Sequence, residues 1–132
     1  MPVVGSFDIG EKNFAYCVGN GSDIFAWKCA DVIKSKHQTV LESCCIISDF
    51  LSDRDWSDCD RILIEHQLLK NVRAHRIAQH VWTWFSVKYS NIPITFVSAS
   101  SKICYFEGRA ALSDFKTSRD RKRWSIKTTT DL

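Results

Sequence analysis

The sequence predicts an α/β domain built on a mixed five-stranded sheet, in which three antiparallel strands are followed by two parallel strands and helices cover both faces. Two observations predict this fold. Three short runs of β-branched and aromatic residues come first, and two segments with helical spacing then alternate with two compact apolar runs. Parallel strands reached through helical crossovers are buried on both faces, so their sequences are continuously apolar.

The first three strands are predicted at residues 3–9, 13–18 and 24–29, which are rich in Val, Ile, Phe, Tyr and Trp. Gly10-Glu11-Lys12 separates the first two runs, and Asn20-Gly21 lies between the second and the third. Asn-Gly between apolar runs is a strong hairpin signal, because both residues tolerate a positive φ. We therefore expect three consecutive antiparallel strands.

A first helix is predicted from His37 to about Leu51, because apolar residues recur there at helical spacing. The turn-rich segment SDRDWSDCD follows this helix, and the run RILIEHQ at 61–67 is predicted to form a buried strand. The expected core-facing stripe of the helix consists of Val40, Leu41, Cys44, Ile47 and Leu51.

A second helix is predicted from about Val72 to Tyr89. It ends near Pro93, because proline disfavours helical geometry in the residue before it. The segment PITFVSAS is expected to form the fifth strand, and the remainder to Leu132 is expected to be loop and helix. The core-facing stripe of the second helix consists of Ala74, Ile77, Ala78, Val81 and Phe85.

Composition is typical of one globular domain spanning residues 1–132, since 45% of the residues are hydrophobic. The net charge is +3, with acids frequent before Asp60 and Lys and Arg frequent from Arg61 onward. This asymmetry favours a nucleic-acid partner. No stretch approaches the roughly 20 apolar residues of a membrane span, and no signal peptide precedes the first strand. We therefore expect a soluble intracellular protein.

The chain has six cysteines, at positions that form no C-x-x-C pair and no zinc-finger spacing. Structural disulfides are rare in reducing compartments. The cysteines are therefore predicted to be reduced thiols of the core.

Two carboxylates lie inside apolar runs, Asp8 in VVGSFDIG and Glu65 in RILIEHQ. The first and fourth strands are neighbours in the predicted order, and each acid lies near the end of its run. Two buried carboxylates close together need a shared cation or a shared proton. Oxygen ligands favour Mg²⁺ or Mn²⁺, so the pair predicts a divalent metal site. Taken singly, either acid could instead cap a turn or pair with a buried arginine.

The segments SFDIGEKNFAYCV and ILIEHQ, in this order and at this separation, resemble the RuvC-like branch of the ribonuclease H superfamily, and within it the poxvirus Holliday junction resolvases. A strand followed by D-x-G also occurs in actin-like ATPases. The pattern D-I-G-x-K-N-x-x-[YF] joined to I-E-x-Q is considerably more specific. The resemblance extends over nearly the whole chain and implies a ribonuclease H-like fold, a metal-dependent nuclease activity and a four-way DNA junction as substrate.

The resemblance implies that Asp8 and Glu65 are the first two catalytic carboxylates. Asp8 would bridge two Mg²⁺ ions, for which Mn²⁺ can substitute, and Glu65 would bind the ion nearer the leaving oxygen. Such ions activate a water and stabilise the departing 3′-oxygen. The implied reaction is a pair of symmetric nicks with 5′-phosphate and 3′-hydroxyl ends. It would serve viral DNA recombination and concatemer processing, in the host cytoplasm or the virion, with no small-molecule substrate.

Basic residues are also expected near the site. A catalytic lysine is implied in the loop after the fifth strand, where Lys102 is the main candidate and Lys116 the second. Each of the remaining basic residues could be an ordinary surface charge, but together they are expected to bind DNA phosphates. They are Lys12, Lys70, Arg73 and Arg76, and, in TSRDRKRW, Arg119, Arg121, Lys122 and Arg123.

Symmetric cleavage of a junction predicts a two-fold homodimer with two sites. Trp82 and Trp84 are expected to lie off the core stripe of the second helix and to form part of the dimer interface, because exposed apolar patches mark interfaces. Alternatively, both tryptophans pack under the last helix.

The resemblance also implies two further acids on a late helix, in a segment such as D-D-x-x-D, which this sequence does not contain. Asp131 is the only acid after Asp120 and is a weaker candidate for the third ligand. A helical stripe of Trp124, Thr128 and Leu132 has no stop signal. We therefore expect these residues to be a shortened form of a longer chain that supplies the missing carboxylates. This form would bind DNA but cleave it poorly.

Two other functions remain open at this point. One is a nuclease of the same fold that acts on RNA or an RNA–DNA hybrid, and the other is a catalytically inert nucleic-acid-binding domain. An actin-like ATPase is disfavoured, because 132 residues hold one such domain and the sequence has no glycine-rich phosphate loop.

Overall fold

The computed structural model describes residues 1–98, and residues Met1–Phe96 form one compact unit. Its order of strands and helices is the predicted one. The elements are β1 (Val4–Asp8), β2 (Phe14–Gly19), β3 (Ile24–Ala30), α1 (Val40–Ser52), β4 (Arg61–Glu65), α2 (Val72–Lys88) and β5 (Ile94–Val97). No helix among the described residues is long and apolar enough to cross a membrane.

The five strands form one mixed sheet in the order β3-β2-β1-β4-β5. The β1–β2 and β2–β3 pairs are antiparallel, and β1 pairs in parallel with β4. Asn20 makes the turn between β2 and β3, because its side-chain oxygen accepts the backbone N–H groups of Ser22 and Asp23 at 3.0 and 2.8 Å. The predicted mixed sheet is therefore confirmed.

Helices α1 and α2 cover the same face of this sheet, with α1 joining β1–β3 to β4 and α2 joining β4 to β5. Both crossovers move in the same direction across the sheet, and right-handed connections then place both helices on one side. The helix predicted after β5 falls within residues 99–132, outside the described residues. The interpretation of residues 1–132 as a single domain also extends beyond them and stays a prediction.

An aromatic cluster fills the space between the sheet and the two helices. The ring of Trp56 lies 4.8 Å from Tyr16, 5.4 Å from Phe7 and 5.2 Å from Phe85, measured between centroids. Trp56 is fully buried, and its indole N–H donates to the carbonyl of Leu51 at 2.8 Å. Gly5 leaves room for it, because a Cβ there would lie 3.3 Å from the Trp56 ring. The turn-rich segment before β4 therefore contributes the largest fully buried side chain among the described residues.

The predicted stripe of α2 is confirmed, whereas that of α1 is wrong at Leu41. All five predicted residues of α2 are buried, but Leu41 is 73% exposed. Ser43 is buried in α1 together with Ile47 and Leu51, at positions i, i+4 and i+8. Helix α1 begins at Val40, after Thr39 caps it by accepting the N–H of Glu42 at 3.1 Å. Leu41 therefore lies on the opposite side of the helix from this stripe.

The prediction that Trp84 lies off the core face is also wrong. Trp84 is only 9% exposed, and its ring packs 5.0 Å from Phe85 and 5.8 Å from Tyr89. The buried face of α2 is wide enough to include position 84 beside 81 and 85. Trp82 does lie off this face and is 42% exposed.

The five cysteines among the described residues are all free thiols. Of these, Cys59 is buried, Cys17 and Cys44 are half-buried, and Cys29 and Cys45 are exposed. Burial raises the pKa of the Cys59 thiol to about 11. The five described cysteines thus form no disulfide, and the prediction that they lie in the core is wrong for Cys29 and Cys45. Cys104 lies outside the described residues.

Candidate active site

Asp8 and Glu65 are the last residues of β1 and β4, two neighbouring parallel strands. The register pairs Phe7 with Ile64, so its continuation by one residue places Asp8 beside Glu65. Adjacent strands are about 4.8 Å apart, and residues at the same level point to the same face of the sheet. The predicted placement of the two acids at the ends of adjacent strands is therefore confirmed.

The acids are less buried than the sequence suggested, since Asp8 is exposed and Glu65 is half-buried. Side chains alternate along a strand. Phe7 and Ile64 are fully buried beneath the helices, so the acids that follow them point to the opposite face. Desolvation therefore does not force the two groups to share a cation, and the argument for a metal rests on their proximity.

The two carboxylates match the oxygen ligands that Mg²⁺ and Mn²⁺ prefer, because these ions retain waters and use one or two protein carboxylates. Within residues 1–98, no group of three or more His, Cys, Asp or Glu side chains could hold a metal ion. The described residues thus fit hydrated divalent ions held by two acids. They contain no site in which three or more His, Cys, Asp or Glu side chains surround an ion.

The turn between β1 and β2 is held by an ion pair that the sequence did not predict. Glu11 in this turn accepts two hydrogen bonds from the guanidinium of Arg73 on α2, at 2.5 Å from Nε and 2.6 Å from Nη2. Arg73 Nη2 also donates to the backbone carbonyl of Gln38 at 3.2 Å. The hydrogen bonds from Arg73 hold the pKa of Glu11 below its usual value.

Two buried polar residues extend this ion pair into the protein. The hydroxyl of Ser43 donates to Glu11 Oε2 at 3.1 Å, and Gln38 Nε2 donates to Ser43 Oγ at 2.8 Å. Gln38 Nε2 also donates to the carbonyl of Val32 at 2.7 Å. The network formed by Glu11, Arg73, Ser43 and Gln38, called the Glu11 clamp below, therefore joins the β1–β2 turn to α1, α2 and the β3–α1 loop.

The basic residues predicted to bind DNA divide into three groups. Lys12, Lys70 and Arg76 are exposed on the β1–β2 turn, the β4–α2 loop and the first turns of α2. Arg73 is exposed too, but its charge is paired with Glu11. The third group, Arg119, Arg121, Lys122 and Arg123, lies outside the described residues, as do the catalytic-lysine candidates Lys102 and Lys116 and the candidate ligand Asp131.

Exposed apolar side chains follow Glu65 in the loop that leads to α2. Leu68 and Leu69 are 68% and 85% exposed, and Val72 at the start of α2 is also exposed. The sequence predictions did not include these residues. The available signal was the pair of leucines that opens the segment LLKNV, between the acid-bearing strand and the helix. They are exposed apolar residues that flank Lys70 in the segment leading from Glu65 to α2.

Glu11 was also missed, because a pair of oppositely charged residues separated by 62 positions has no local sequence signal. The one local signal for a role of Glu11 was its position in the turn DIGEKN, directly after the strand that ends at Asp8. Only the fold places it beside the start of α2.

No protein-family model matches this chain. A curated relative is uncharacterized protein 97L of Invertebrate iridescent virus 3, which is 27% identical over 71 residues. The match spans 54% of this chain and 33% of that protein's length.

Two solved structures of Thermus thermophilus RuvC are similar to this chain, each at 13% sequence identity. RuvC alone superposes with a TM-score of 0.64 over 80% of this chain and 69% of its own. RuvC in complex with a Holliday junction substrate superposes with a TM-score of 0.61 over 91% of this chain and 74% of its own. The chain therefore has the ribonuclease H-like fold found in RuvC.

Proposed function

We propose that this chain is a metal-dependent, structure-specific endonuclease that resolves four-way DNA junctions by paired nicks. The observation that carries the proposal is the placement of Asp8 beside Glu65 at the carboxyl ends of two adjacent parallel strands. The similarity to RuvC in complex with a Holliday junction supports the choice of substrate. At 13% identity that similarity shows the fold alone, so the proposed chemistry depends on the two acids.

In the proposed mechanism, Asp8 and Glu65 would hold two divalent ions, Mg²⁺ or Mn²⁺. When bound, such ions supply Lewis-acid activation of a water and stabilisation of the departing 3′-oxygen. The acid pair lies on the face of the sheet opposite α1 and α2, and in this proposal the DNA strand approaches from that face. This arrangement gives nicks with 5′-phosphate and 3′-hydroxyl ends.

The exposed residues around the acids would place the DNA. Lys70 and Arg76 lie on the segment that leaves Glu65, where they can neutralise phosphates. The side chains of Leu68 and Leu69 suit the unstacked centre of a junction, since apolar side chains insert between base steps where DNA is distorted. The protein would thus recognise the shape and deformability of the junction more than its base sequence.

Symmetric cleavage needs a homodimer, for which the half-exposed Trp82 is the remaining candidate contact among the described residues. We also propose a role in viral DNA recombination and concatemer processing, for which the support is limited to the presence of a viral protein among the relatives of this chain. We also propose a location in the host cytoplasm or the virion. Assignment to the poxvirus resolvases in particular stays a prediction.

The proposal is tested on a synthetic four-way junction in which each strand is labelled in turn. The protein is used in excess over DNA for hours, because two carboxylates hold divalent ions loosely and cleavage is expected to be slow. Controls are a linear duplex of the same sequence, an RNA–DNA hybrid, added EDTA and Asp8→Asn. We expect nicks in opposing strands that require Mg²⁺ or Mn²⁺ and are lost in Asp8→Asn.

Two results would change the assignment. Cleavage of the hybrid in preference to the junction would identify a nuclease that acts on RNA. Tight junction binding with no nicking in either metal would favour an inert binding domain.

A further inference from the structure

We infer that the Glu11 clamp is a positioning device for the acid pair, in which Arg73 sets the position of Asp8 relative to Glu65. This inference rests on the proposed function. It reassigns Arg73, which the sequence suggested as a contact to DNA phosphate.

The clamp joins the two segments that leave the acid-bearing strands. Glu11 follows Asp8 by three residues in the turn after β1, and Arg73 follows Glu65 by eight residues in the first turn of α2. The two backbone segments are therefore fixed to each other close to the strand ends. A change in their separation would move one acid relative to the other, because no regular element intervenes between Asp8 and Glu11.

The β1–β2 turn is held on several sides at once. The Glu11 carboxylate accepts from Arg73 and from Ser43, and its backbone carbonyl accepts the N–H of Val32 at 2.8 Å. Ser43 is fully buried and Gln38 is 8% exposed, so these partners are held by the core. A bidentate arginine–carboxylate pair also fixes the relative orientation of its two groups, which a single contact does not. The geometry is suited to fixing a turn.

A contact between Arg73 and DNA phosphate would compete with this arrangement. Both Nε and Nη2 of Arg73 already donate to Glu11, and the carboxylate neutralises the guanidinium charge. Arg76, one turn further along α2, is exposed and keeps its charge available. We therefore expect Arg73 to affect metal binding and Arg76 to affect DNA binding.

The test measures Mn²⁺ affinity by electron paramagnetic resonance, with junction affinity measured separately in EDTA. The variants are Arg73→Ala, Arg73→Lys, Glu11→Gln and the exchange Glu11→Arg/Arg73→Glu. The matched control is Asp58→Asn, which breaks a second ion pair, Arg54–Asp58, joined at 2.6 Å. Asp8→Asn identifies the Mn²⁺ signal that depends on the acid pair.

Arg73→Ala is expected to weaken Mn²⁺ binding by about 10-fold, the lower end of the effect of supporting residues around a metal site. Arg73→Lys keeps the positive charge but loses the two parallel donors of the guanidinium, so its Mn²⁺ affinity should lie between those of Arg73→Ala and the wild type. The exchange Glu11→Arg/Arg73→Glu should recover part of the Mn²⁺ affinity. Junction affinity in EDTA should stay near wild type. Asp58→Asn should leave Mn²⁺ affinity unchanged.

Hydrogen exchange without metal gives a second readout. Amides of residues 9–13 should exchange faster in Arg73→Ala and in the milder Glu11→Gln, while Asp58→Asn leaves them at the wild-type rate. This measurement tests the clamp even where Arg73→Ala lowers overall stability, because Glu11→Gln keeps the size of the side chain and removes its charge and one of the two oxygens that accept from Arg73.

The failures of the two proposals are distinguishable. Equal Mn²⁺ affinity in the wild type and Asp8→Asn would overturn the proposed function and this inference with it. Affinity that falls in Asp8→Asn but not in Arg73→Ala or Glu11→Gln would overturn the inference alone. So would a loss of junction affinity in Arg73→Ala with unchanged Mn²⁺ binding, because that result would make Arg73 a phosphate contact.

Discussion

Asp8 and Glu65 end two adjacent parallel strands at the same level of the sheet and point to the face opposite the two helices. Their neighbours Phe7 and Ile64 are fully buried on the helix side. The strands that carry the acids are thus anchored in the core, and the acids lie on the face of the sheet that α1 and α2 do not cover.

Asp8→Asn and Glu65→Gln should each abolish metal-dependent cleavage and leave fold and junction binding largely intact. Each change removes metal-binding charge with little change in volume. The measurements are nicking in Mg²⁺, junction affinity in EDTA and thermal unfolding. Asp49→Asn, an exposed acid on α1, is the matched control. Near wild-type nicking by either active-site variant at saturating Mg²⁺ would show that the two-acid site is wrongly assigned.

Lys70→Ala and Arg76→Ala should weaken junction binding and reduce its dependence on salt. Each phosphate contact that is lost lowers the slope of log affinity against log salt concentration by roughly 0.9 on duplex DNA. Fluorescence anisotropy over a series of salt concentrations gives this slope. Lys88→Ala, at the other end of α2, serves as the control. A slope that matches the wild type would remove the mutated residue from the DNA-binding surface.

Trp84→Ala and Trp82→Ala should behave differently. Trp84 is buried against Phe85 and Tyr89, so its truncation should lower the free energy of unfolding by about 3–5 kcal/mol, as for other large aromatic residues of the core. Trp82 is half-exposed and contacts Phe96 at its edge, so its truncation should cost much less stability. Denaturant unfolding measures this difference, and a smaller loss for Trp84→Ala would contradict its core assignment.

The same pair of variants tests the dimer. If Trp82 lies at the interface, Trp82→Ala should shift the protein towards monomer in sedimentation velocity at a concentration where the wild type is dimeric. An unchanged sedimentation coefficient would exclude Trp82 from the interface.

Stability should fall as the pH drops below about 6.5, because of His80. Its ring lies between α1 and α2, where Nε2 is 2.8 Å from Ser48 Oγ, and burial lowers its pKa despite a hydrogen bond to the backbone of Cys44. The unfolded chain therefore binds the proton more readily than the folded protein. The contribution of neutral His80 to the free energy of unfolding is complete above the pKa of His80 in the unfolded chain. It is lost as the pH falls towards the lower pKa of His80 in the folded protein.

Urea unfolding between pH 7.5 and 5.5 tests this sign. His80→Gln should flatten the pH dependence, while His75→Gln, at an exposed position of the same helix, should keep it. A wild-type stability that rises as the pH drops through this window would contradict the assignment.

The sequence was sufficient to predict the strands of the sheet and to place Asp8 and Glu65 on adjacent strands. Apolar runs locate strands, and a helical crossover between them makes the first and fourth strands parallel neighbours. The local pattern could not decide how deeply the acids are buried, since that depends on which face of the sheet the helices cover. It also missed Trp56, whose burial follows from the packing of a polar turn against the sheet.

Errors on the helices have a related cause. An amphipathic pattern gives the direction of the buried face but not its width, so Trp84 was placed outside a stripe that in fact includes it. In α1 the buried position is Ser43, a polar residue whose hydroxyl is satisfied by Glu11 and Gln38. Hydrophobicity does not identify such a position, because its partners lie in distant segments.

The parallel pairing of β1 with β4 also determines when the site can form. Asp8 and Glu65 are separated by 57 positions, whereas β1, β2 and β3 pair through short local turns. Closing so long a loop lowers the conformational entropy of the chain before the contacts between the two strands stabilise it. Non-local pairings of this kind therefore slow folding. A nascent chain can form the three-stranded meander early in synthesis, but it has no acid pair until Arg61–Glu65 has joined the sheet. The proposed metal affinity would therefore report that this unit has completed folding.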